Sequence, residues 1–156
     1  MAQLTHVDAR GDARMVEVGG KEVTARRAVA EGYVRMGAEA RAAIAERRAR
    51  KGDVLLVAQI AGIQAAKRTG ELIPLCHPLG LDGVEVTLDP VEDGVRIVAT
   101  VRCTGRTGVE MEAFTACCVA GLTVIDMLKA VDRTMRLDGV RLLEKDGGRS
   151  GAWRAS

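Results

Sequence analysis

Aromatic residues are almost absent from this 156-residue chain, which contains one Trp, one Tyr and one Phe. This scarcity argues against a nucleic-acid module that stacks bases on aromatic rings. A chain of this length suits one compact domain, which should bury roughly 68–70% of its unfolded surface. Because 47% of the residues are hydrophobic, we expect an aliphatic core built from Ala, Val, Leu, Ile and Met.

An excess of charge of one sign is also missing. The chain has 23 basic and 21 acidic residues, a net charge of +2. A non-specific nucleic-acid binder would be strongly basic, with a stripe of positive charge, so no nucleic-acid partner is expected. The ordinary apolar content also argues against disorder.

Long apolar runs, a leader sequence and paired cysteines are lacking too. We find no apolar run of about 18 residues and no charged-then-apolar segment at Met1, so we predict a cytoplasmic protein without a membrane span. No two cysteines form a C-x-x-C pair, which favours reduced thiols. Adjacent residues such as Cys76 and His77 rarely ligate one metal together, and we predict no metal site.

Periodicity predicts strands and helices in the first half of the chain. We expect a short strand at residues 15–18, a longer one at 23–36 and a surface helix at 38–50. Asp53 is a candidate N-cap for a second helix that runs to about Thr69 and stops at Gly70. That helix is apolar on nearly every face, which predicts burial.

The second half begins with a loop in which Pro74 and Pro78 bracket His77. A β-hairpin over residues 84–101 follows, with its turn at 90–94. We then expect a long helix at 109–132, a strand at 133–141 with a turn at Asp138–Gly139, and a glycine-rich tail. Residues 1–14 and about 147–156 are expected to be flexible. The order of elements predicts an α+β sandwich, with helices on one face of a mostly antiparallel sheet.

His77 has two interpretations with about equal weight. It is either a histidine held by loop packing, or a group that the flanking prolines position for acid–base or phosphate chemistry. Glu110 and Glu112 open the long helix, where acidic residues favour the helix dipole by roughly 0.3–1 kcal/mol without any further role. Glycines in the preceding TGRTG are a weak signal, and two carboxylates at that helix end argue against a simple phosphate cradle.

Asp126 and Lys129 are neighbours on one helix face within an apolar segment. They are either a surface ion pair worth under about 1 kcal/mol or a partly buried acid–base pair. Glu112 and Asp126 are separated by about 21 Å along one helix, from the rise per residue. If both act in one small site, two chains must share that site. Lys145, beside a glycine turn, is a candidate phosphate ligand.

Several segments, taken in order, carry a resemblance. They are KGDV at 51–54, AGIQAAKRTGELIPLCHPL at 61–79, TGRTGVEMEA at 104–113, DMLKAVD at 126–132 and GGRSG at 147–151, with LTHVD near the start. Together they resemble the molybdenum-cofactor biosynthesis protein C family, the cyclic pyranopterin monophosphate synthases. The similarity covers nearly the whole chain.

The resemblance implies a fold, an activity and an assembly. The fold is a ferredoxin-like α+β sandwich. The activity converts 3′,8-cyclo-7,8-dihydro-GTP, made by a radical enzyme in the preceding step, to cyclic pyranopterin monophosphate with release of pyrophosphate. Subunits form dimers that assemble into a homohexamer, with the active site at the dimer interface. No cofactor is required, although Mg²⁺ can accompany the triphosphate.

The resemblance also implies site residues at the matching positions. The implied catalytic residues are Lys51, His77, Glu112, Asp126 and Lys129. The implied substrate contacts are Leu75, Cys76, His77, Glu110, Met111, Glu112, Lys67 and Lys145. Glu17 stands where the family pattern has aspartate, which puts a direct role for that carboxylate in doubt. Arg149 keeps the charge of the family's lysine but not its geometry.

A second class of function stays open at this point. A non-catalytic nucleotide-binding regulatory module of the same build would bind phosphate, but it would gain nothing from Glu112 and Asp126. A purely structural scaffold would explain the apolar helices but not the paired charges. Under the enzyme hypothesis, lysines and His77 neutralise the triphosphate, and Asp126 and Glu112 are candidate acids and bases.

Overall fold

The structure is a computed structural model that describes residues 6–156. Two residues of the LTHVD segment, Leu4 and Thr5, therefore lie outside the described residues, as does the start of the segment that we expected to be flexible. The elements in chain order are β1 Thr24–Arg35, α1 Ala38–Ala45, α2 Val54–Lys67, α3 Thr69–Leu72, β2 Gly83–Val91, β3 Gly94–Gly105, α4 Glu110–Leu128, β4 Arg136–Asp146 and β5 Trp153–Arg154.

The strands form one open antiparallel sheet in the order β2-β3-β1-β4-β5, with the helices packed against it. The first four strands and their helices follow the ferredoxin-like arrangement, which confirms the expected α+β sandwich. The short β5 pairs with the end of β4 at Glu144 and Lys145. The predicted strand at 23–36 and the hairpin of β2 and β3 are both confirmed.

Alternation along β1 separates the two faces of the sheet. Ala28, Ala30 and Val34 are fully buried on the helix side. Glu31 lies on the other face, where Arg96 of β3 and Arg141 of β4 donate hydrogen bonds to its carboxylate. Burial raises the pKa of Glu31, but the bonds from Arg141 and Arg96 outweigh it and hold the pKa below the usual value.

The helix α4 is the core helix of the sandwich. It crosses α2 closely at Gly62, where an added Cβ would lie 3.0 Å from the carbonyl oxygen of Ala116. Asp53 caps α2 as predicted, since its side chain accepts a hydrogen bond from the Leu56 amide at 3.1 Å. Contrary to expectation, α4 is long and apolar enough to cross a membrane, with a mean hydropathy of 1.6, and 56% of this stretch is buried inside the protein.

Three local predictions are wrong. Residues 15–18 are not a strand but an extended segment without sheet pairing. Gly70 does not stop the helical region, because it lies inside α3. β4 continues through Asp138 and Gly139 rather than turning there; Gly139 adopts φ +59° at an irregularity in the pairing with β1. Glycine tolerates this left-handed conformation, so the strand bulges without ending.

The end of α1 and the environment of α2 also differ from expectation. α1 ends at Ala45, and residues 46–53 form turns and a loop rather than the end of a longer helix. α2 is not buried on nearly every face: Leu56 and Ile60 are about half exposed, at 53% and 49%. The spacing of Leu56, Val57 and Ile60 places them on one side of the helix, so a single subunit leaves an apolar surface uncovered.

Candidate active site

The predicted site residues gather at the two ends of α4. Lys51, Asp126 and Lys129 meet at its carboxyl end, whereas Cys76, His77, Glu110, Glu112 and Lys145 lie around its amino end. Because α4 is continuous from Glu110 to Leu128, the rise of a helix places Glu112 and Asp126 about 21 Å apart. One subunit therefore does not bring the two groups together.

A cavity of about 500 Å³ opens at the amino end of α4. The loop after α3 contributes Leu75, Cys76 and His77, and the first turn of α4 contributes Glu110, Met111 and Glu112. These six predicted contacts thus line one cavity. Four further lining residues were not predicted as site residues: His6, Val16, Val18 and Lys21. We call this space the carboxylate cavity.

Glu112 is the most buried charged side chain of the carboxylate cavity, at 2% exposure. Its Oε1 atom accepts a hydrogen bond from the Cys76 thiol at 3.7 Å, and its Oε2 atom is buried without a partner among residues 6–156. Burial raises the pKa of Glu112 above its usual value, and nearby Glu110 adds to the rise. A carboxyl in this state can donate or accept a proton closer to neutral pH.

His77 is held by the segment that precedes the sheet. Its Nε2 atom lies 2.7 Å from the carbonyl oxygen of Val16. A carbonyl can only accept, so we assign the proton to Nε2 and leave Nδ1 as the remaining functional nitrogen. The contact also ties the 15–18 segment to the lining of the carboxylate cavity, to which Val16 and Val18 belong. Glu17, in that segment, accepts a hydrogen bond from the Gly19 amide and so serves a local turn.

The two remaining lysines expected at this end have different settings. Lys145 projects from the helix side of β4, where its Nζ atom lies 3.2 Å from Glu110 Oε1 and 3.1 Å from Ser150 Oγ. It therefore contacts a residue of the cavity wall. Lys67 is exposed at the end of α2 and is not among the described residues that line the carboxylate cavity.

A second cavity, of about 740 Å³, adjoins the first. The two share Lys21, Thr107 and Gly108 in their walls. Four cationic side chains line this second space, against one acidic side chain, Glu22; the four are Lys21, Arg26, Arg106 and Arg149. We call it the basic cavity. The two glutamates at the start of α4 argued against phosphate binding by the TGRTG segment. The basic cavity lies beside these carboxylates rather than among them, so that objection does not apply to it.

The basic cavity is built from three chain segments that converge at one end of the sheet. Arg26 of β1 donates hydrogen bonds to the carbonyl oxygens of Gly105 and Arg106, and Arg106 donates one to the carbonyl of Lys21. These bonds order the loop between β3 and α4. The arginines were not predicted as site residues because only the pairing of β1 with β3 brings Arg26 to residues 105 and 106.

The polar cluster at the other end of α4 is exposed. Lys51, from the loop before α2, and Lys129 each lie 2.6 Å from a different oxygen of Asp126. Hydrogen bonds from the two lysines, with the larger effect from Lys129, lower the pKa of Asp126 to about 2. The side chains are 51–64% exposed, so in a single subunit the cluster matches the first of the two interpretations, a surface ion pair, and not the partly buried acid–base pair. Within residues 6–156 no three His, Cys, Asp or Glu side chains cluster as a metal site.

The Glu112→Gln variant is expected to be more stable than the parent at neutral pH but not near pH 4. A carboxyl whose pKa is higher in the folded state than in the unfolded state destabilises the folded protein once the pH rises above the unfolded-state pKa. The full loss of stability is reached when the pH exceeds the folded-state pKa. Each unit by which the pKa is shifted changes the free energy of unfolding by about 1.4 kcal/mol. In a chain of this size, each kcal/mol changes the melting temperature by roughly 2–4 °C. Thermal unfolding measured from pH 4 to pH 8 tests this expectation.

The exposed Glu39→Gln variant is the matched control, because Glu39 lies at the start of α1 away from the cavity. Its melting temperature should not diverge from that of the parent as the pH rises. If the difference in melting temperature between Glu112→Gln and the parent stayed constant from pH 4 to pH 8, it would contradict the raised pKa of this buried carboxyl.

Fold and site together define a class: a ferredoxin-like α+β protein with a buried carboxyl and a histidine beside a cavity lined by cationic side chains. Comparison with known proteins narrows the class. Residues 15–148 match the model of the MoaC family. The chain is 59% identical over 154 residues to a protein of Chloroflexus aurantiacus named cyclic pyranopterin monophosphate synthase, covering 97% of this chain and 94% of the relative.

Two further relatives have equivalent names. A Novosphingobium aromaticivorans protein named cyclic pyranopterin monophosphate synthase is 56% identical over 156 residues, covering 100% of this chain and 99% of the relative. A Mycobacterium tuberculosis protein named cyclic pyranopterin monophosphate synthase 1 is 59% identical over 154 residues, covering 98% and 91%. The chain belongs to the MoaC family, and the expectation of an enzyme of molybdenum cofactor biosynthesis is confirmed.

Proposed function

We propose that the protein converts 3′,8-cyclo-7,8-dihydro-GTP to cyclic pyranopterin monophosphate and releases pyrophosphate. The observation that carries the proposal is the junction of the basic cavity with the carboxylate cavity at Lys21, Thr107 and Gly108. A purine-derived triphosphate has an anionic end and a neutral polar ring, and the two spaces match these two ends.

The basic cavity suits the triphosphate. Arg26, Arg106 and Arg149 present guanidinium groups, which pair with phosphate oxygens, and Lys21 supplies a point charge at the junction. A cyclic monophosphate forms from a triphosphate when a hydroxyl of the substrate attacks the α-phosphorus and pyrophosphate leaves. Fixed cations around the leaving group stabilise the charge that develops on it.

The carboxylate cavity suits the ring. With few aromatic residues in the chain, the ring is held by polar groups and by aliphatic walls such as Val16, Val18 and Leu75. Glu112, with its raised pKa, and the Nδ1 atom of His77, the nitrogen not bonded to Val16, are the groups that can exchange protons with the ring. Rearrangement to a pterin requires such transfers.

The exposed cluster of Lys51, Asp126 and Lys129 would complete the site of a second subunit. Its charges are too far from Glu112 to act on the same small molecule within one chain. Apolar residues flank it in the chain: Leu56 lies in the first turn of α2, five positions after Lys51, and Leu122 lies one turn before Asp126 and is 56% exposed. An apolar surface beside a charged cluster supports a subunit interface here.

The assembly proposed is therefore a homodimer whose two subunits share their active sites. Three such dimers form a homohexamer. The substrate comes from a radical enzyme that cyclises GTP, and we place the protein in the cytoplasm. No cofactor is needed for proton and phosphoryl transfer by these side chains. Mg²⁺ would be a companion of the triphosphate, bound by its oxygens.

Incubation with two nucleotides tests the proposed function. The purified protein should release pyrophosphate from 3′,8-cyclo-7,8-dihydro-GTP and leave GTP unchanged, measured by chromatography and a pyrophosphate assay. Binding of either nucleotide without turnover would overturn the proposal and identify the protein as the nucleotide-binding regulatory module that remained the alternative.

A further inference from the structure

Cys76 lies in the loop after α3, and its side chain contacts the first turn of α4. Its Sγ atom lies 3.7 Å from Glu112 Oε1. Glu112 lines the carboxylate cavity, and the Oε2 atom of its carboxyl is buried without a partner among residues 6–156. A buried polar atom without a partner costs about 1–3 kcal/mol, so an occupant of the cavity that pairs with Oε2 recovers this cost.

We propose that Cys76 is a positioning residue whose thiol holds Glu112 Oε1 and thereby keeps Oε2 as the atom that meets the substrate ring. The inference rests on the proposed function, because it assigns the ring to the carboxylate cavity. The two oxygens of a carboxyl are equivalent until a partner distinguishes them. The thiol is the one side chain among residues 6–156 that bonds to this carboxyl.

The thiol acts here as a hydrogen-bond donor and not as a nucleophile. Burial, followed by the charge of Glu112, raises the pKa of Cys76 to about 11. The sulfur therefore keeps its proton at neutral pH, and a thiol without thiolate character is a poor nucleophile. The same proton makes the bond to Oε1 possible.

Several other groups face Glu112, and each enters the interpretation of its titration. From α4 the neighbour is Glu110, whose charge raises the pKa of Glu112. From β3 it is Cys103, whose own pKa is raised by burial and by Glu112. The remaining titratable groups lie on other segments of the cavity wall or pair with it: His6, Lys21, His77 and Lys145.

Two substitutions at position 76 separate positioning from packing. Cys76→Ser keeps a donor at nearly the same place, whereas Cys76→Ala removes it. The Ala variant should lose roughly ten- to hundredfold in kcat, because a misplaced reacting group costs that much, and the Ser variant should recover most of the loss. Cys118→Ala, which lies on α4 six residues after Glu112 and does not line the carboxylate cavity, is the control and should behave like the parent.

The titration of Glu112 gives a readout that does not depend on turnover. The bond from Cys76 lowers the pKa of Glu112, so the Ala variant should titrate at higher pH than the parent and the Ser variant close to it. Carboxyl ¹³C NMR of the whole protein, with Glu112→Gln to assign the signal, measures this. An unchanged titration in Cys76→Ala, or equal loss of kcat in the Ala and Ser variants, would overturn the inference.

The two readouts keep the inference distinct from the function on which it rests. If the parent protein did not turn over the cyclised nucleotide, the proposed function would fail, while the NMR titration would still show whether Cys76 holds Glu112. If the parent is active and the titration does not move, only the positioning role is wrong.

Discussion

Lys51→Ala is expected to lower kcat for pyrophosphate release by roughly 10²–10³-fold, the usual cost of removing one fixed charge that stabilises a transition state. Lys51 and Lys129 hold Asp126 between them at 2.6 Å each. Removing Lys51 leaves the Asp126 carboxylate with one partner and removes a cation from the shared site. Asp126→Asn should have an effect of similar size, because it abolishes the charge that orders both lysines.

The fold should not suffer from either change. All three side chains are more than half exposed, and exposed ion pairs contribute little to stability. Arg50→Ala removes a neighbouring exposed cation and is the matched control, with parental kcat expected. Steady-state kinetics, size-exclusion chromatography and thermal unfolding provide the measurements. Near-parental kcat in Lys51→Ala or Asp126→Asn would refute the role of this cluster.

Lys21→Glu and Arg149→Glu are each expected to raise KM roughly ten- to hundredfold, since they reverse a charge in the cavity assigned to the triphosphate. Lys21 also lies at the junction of the two cavities, so its variant should lose kcat as well. The loss of affinity should shrink as ionic strength rises, because salt screens exposed charges. Initial-rate kinetics at two salt concentrations measure both effects.

Arg102→Glu is the control for these reversals. Arg102 is an exposed residue of β3, one position from Cys103 and therefore on the other face of the sheet. The Arg102→Glu substitution changes the net charge of the protein by the same amount as the two cavity substitutions, but Arg102 does not line either cavity. Equal increases of KM in Arg102→Glu and in the two cavity variants would mean that net charge, and not the basic cavity, attracts the substrate.

Local sequence signals predicted most of the fold. The alternation of β1 and of the hairpin, the Asp53 cap and the length of α4 each depend on neighbours in the chain, so propensity and periodicity suffice. The shared-site argument also needed only one helix, because a continuous α4 determines the separation of Glu112 from Asp126. The motif around Cys76 and His77 identified the wall of the carboxylate cavity.

The features that escaped prediction depend on distant contacts. The apolar face of α2 has the composition of a buried helix, yet the fold of one subunit leaves Leu56 and Ile60 exposed. The basic cavity collects Lys21, Arg26, Arg106 and Arg149 from segments separated by up to 128 positions in the sequence. Neither arrangement has a periodic signature in the local sequence, because each arises from the pairing of strands and the packing of helices that are distant in the chain.

The central claim is that one active site contains Glu112 of one subunit and Lys51 of another. Co-expression of the Glu112→Gln and Lys51→Ala chains, each nearly inactive alone, tests it directly. In a mixed dimer one site would carry both substitutions and the other neither. Random pairing makes half of the dimers mixed, so we predict about a quarter of the parental activity. Mixed oligomers, verified with two affinity tags, that were no more active than either variant would contradict the shared site.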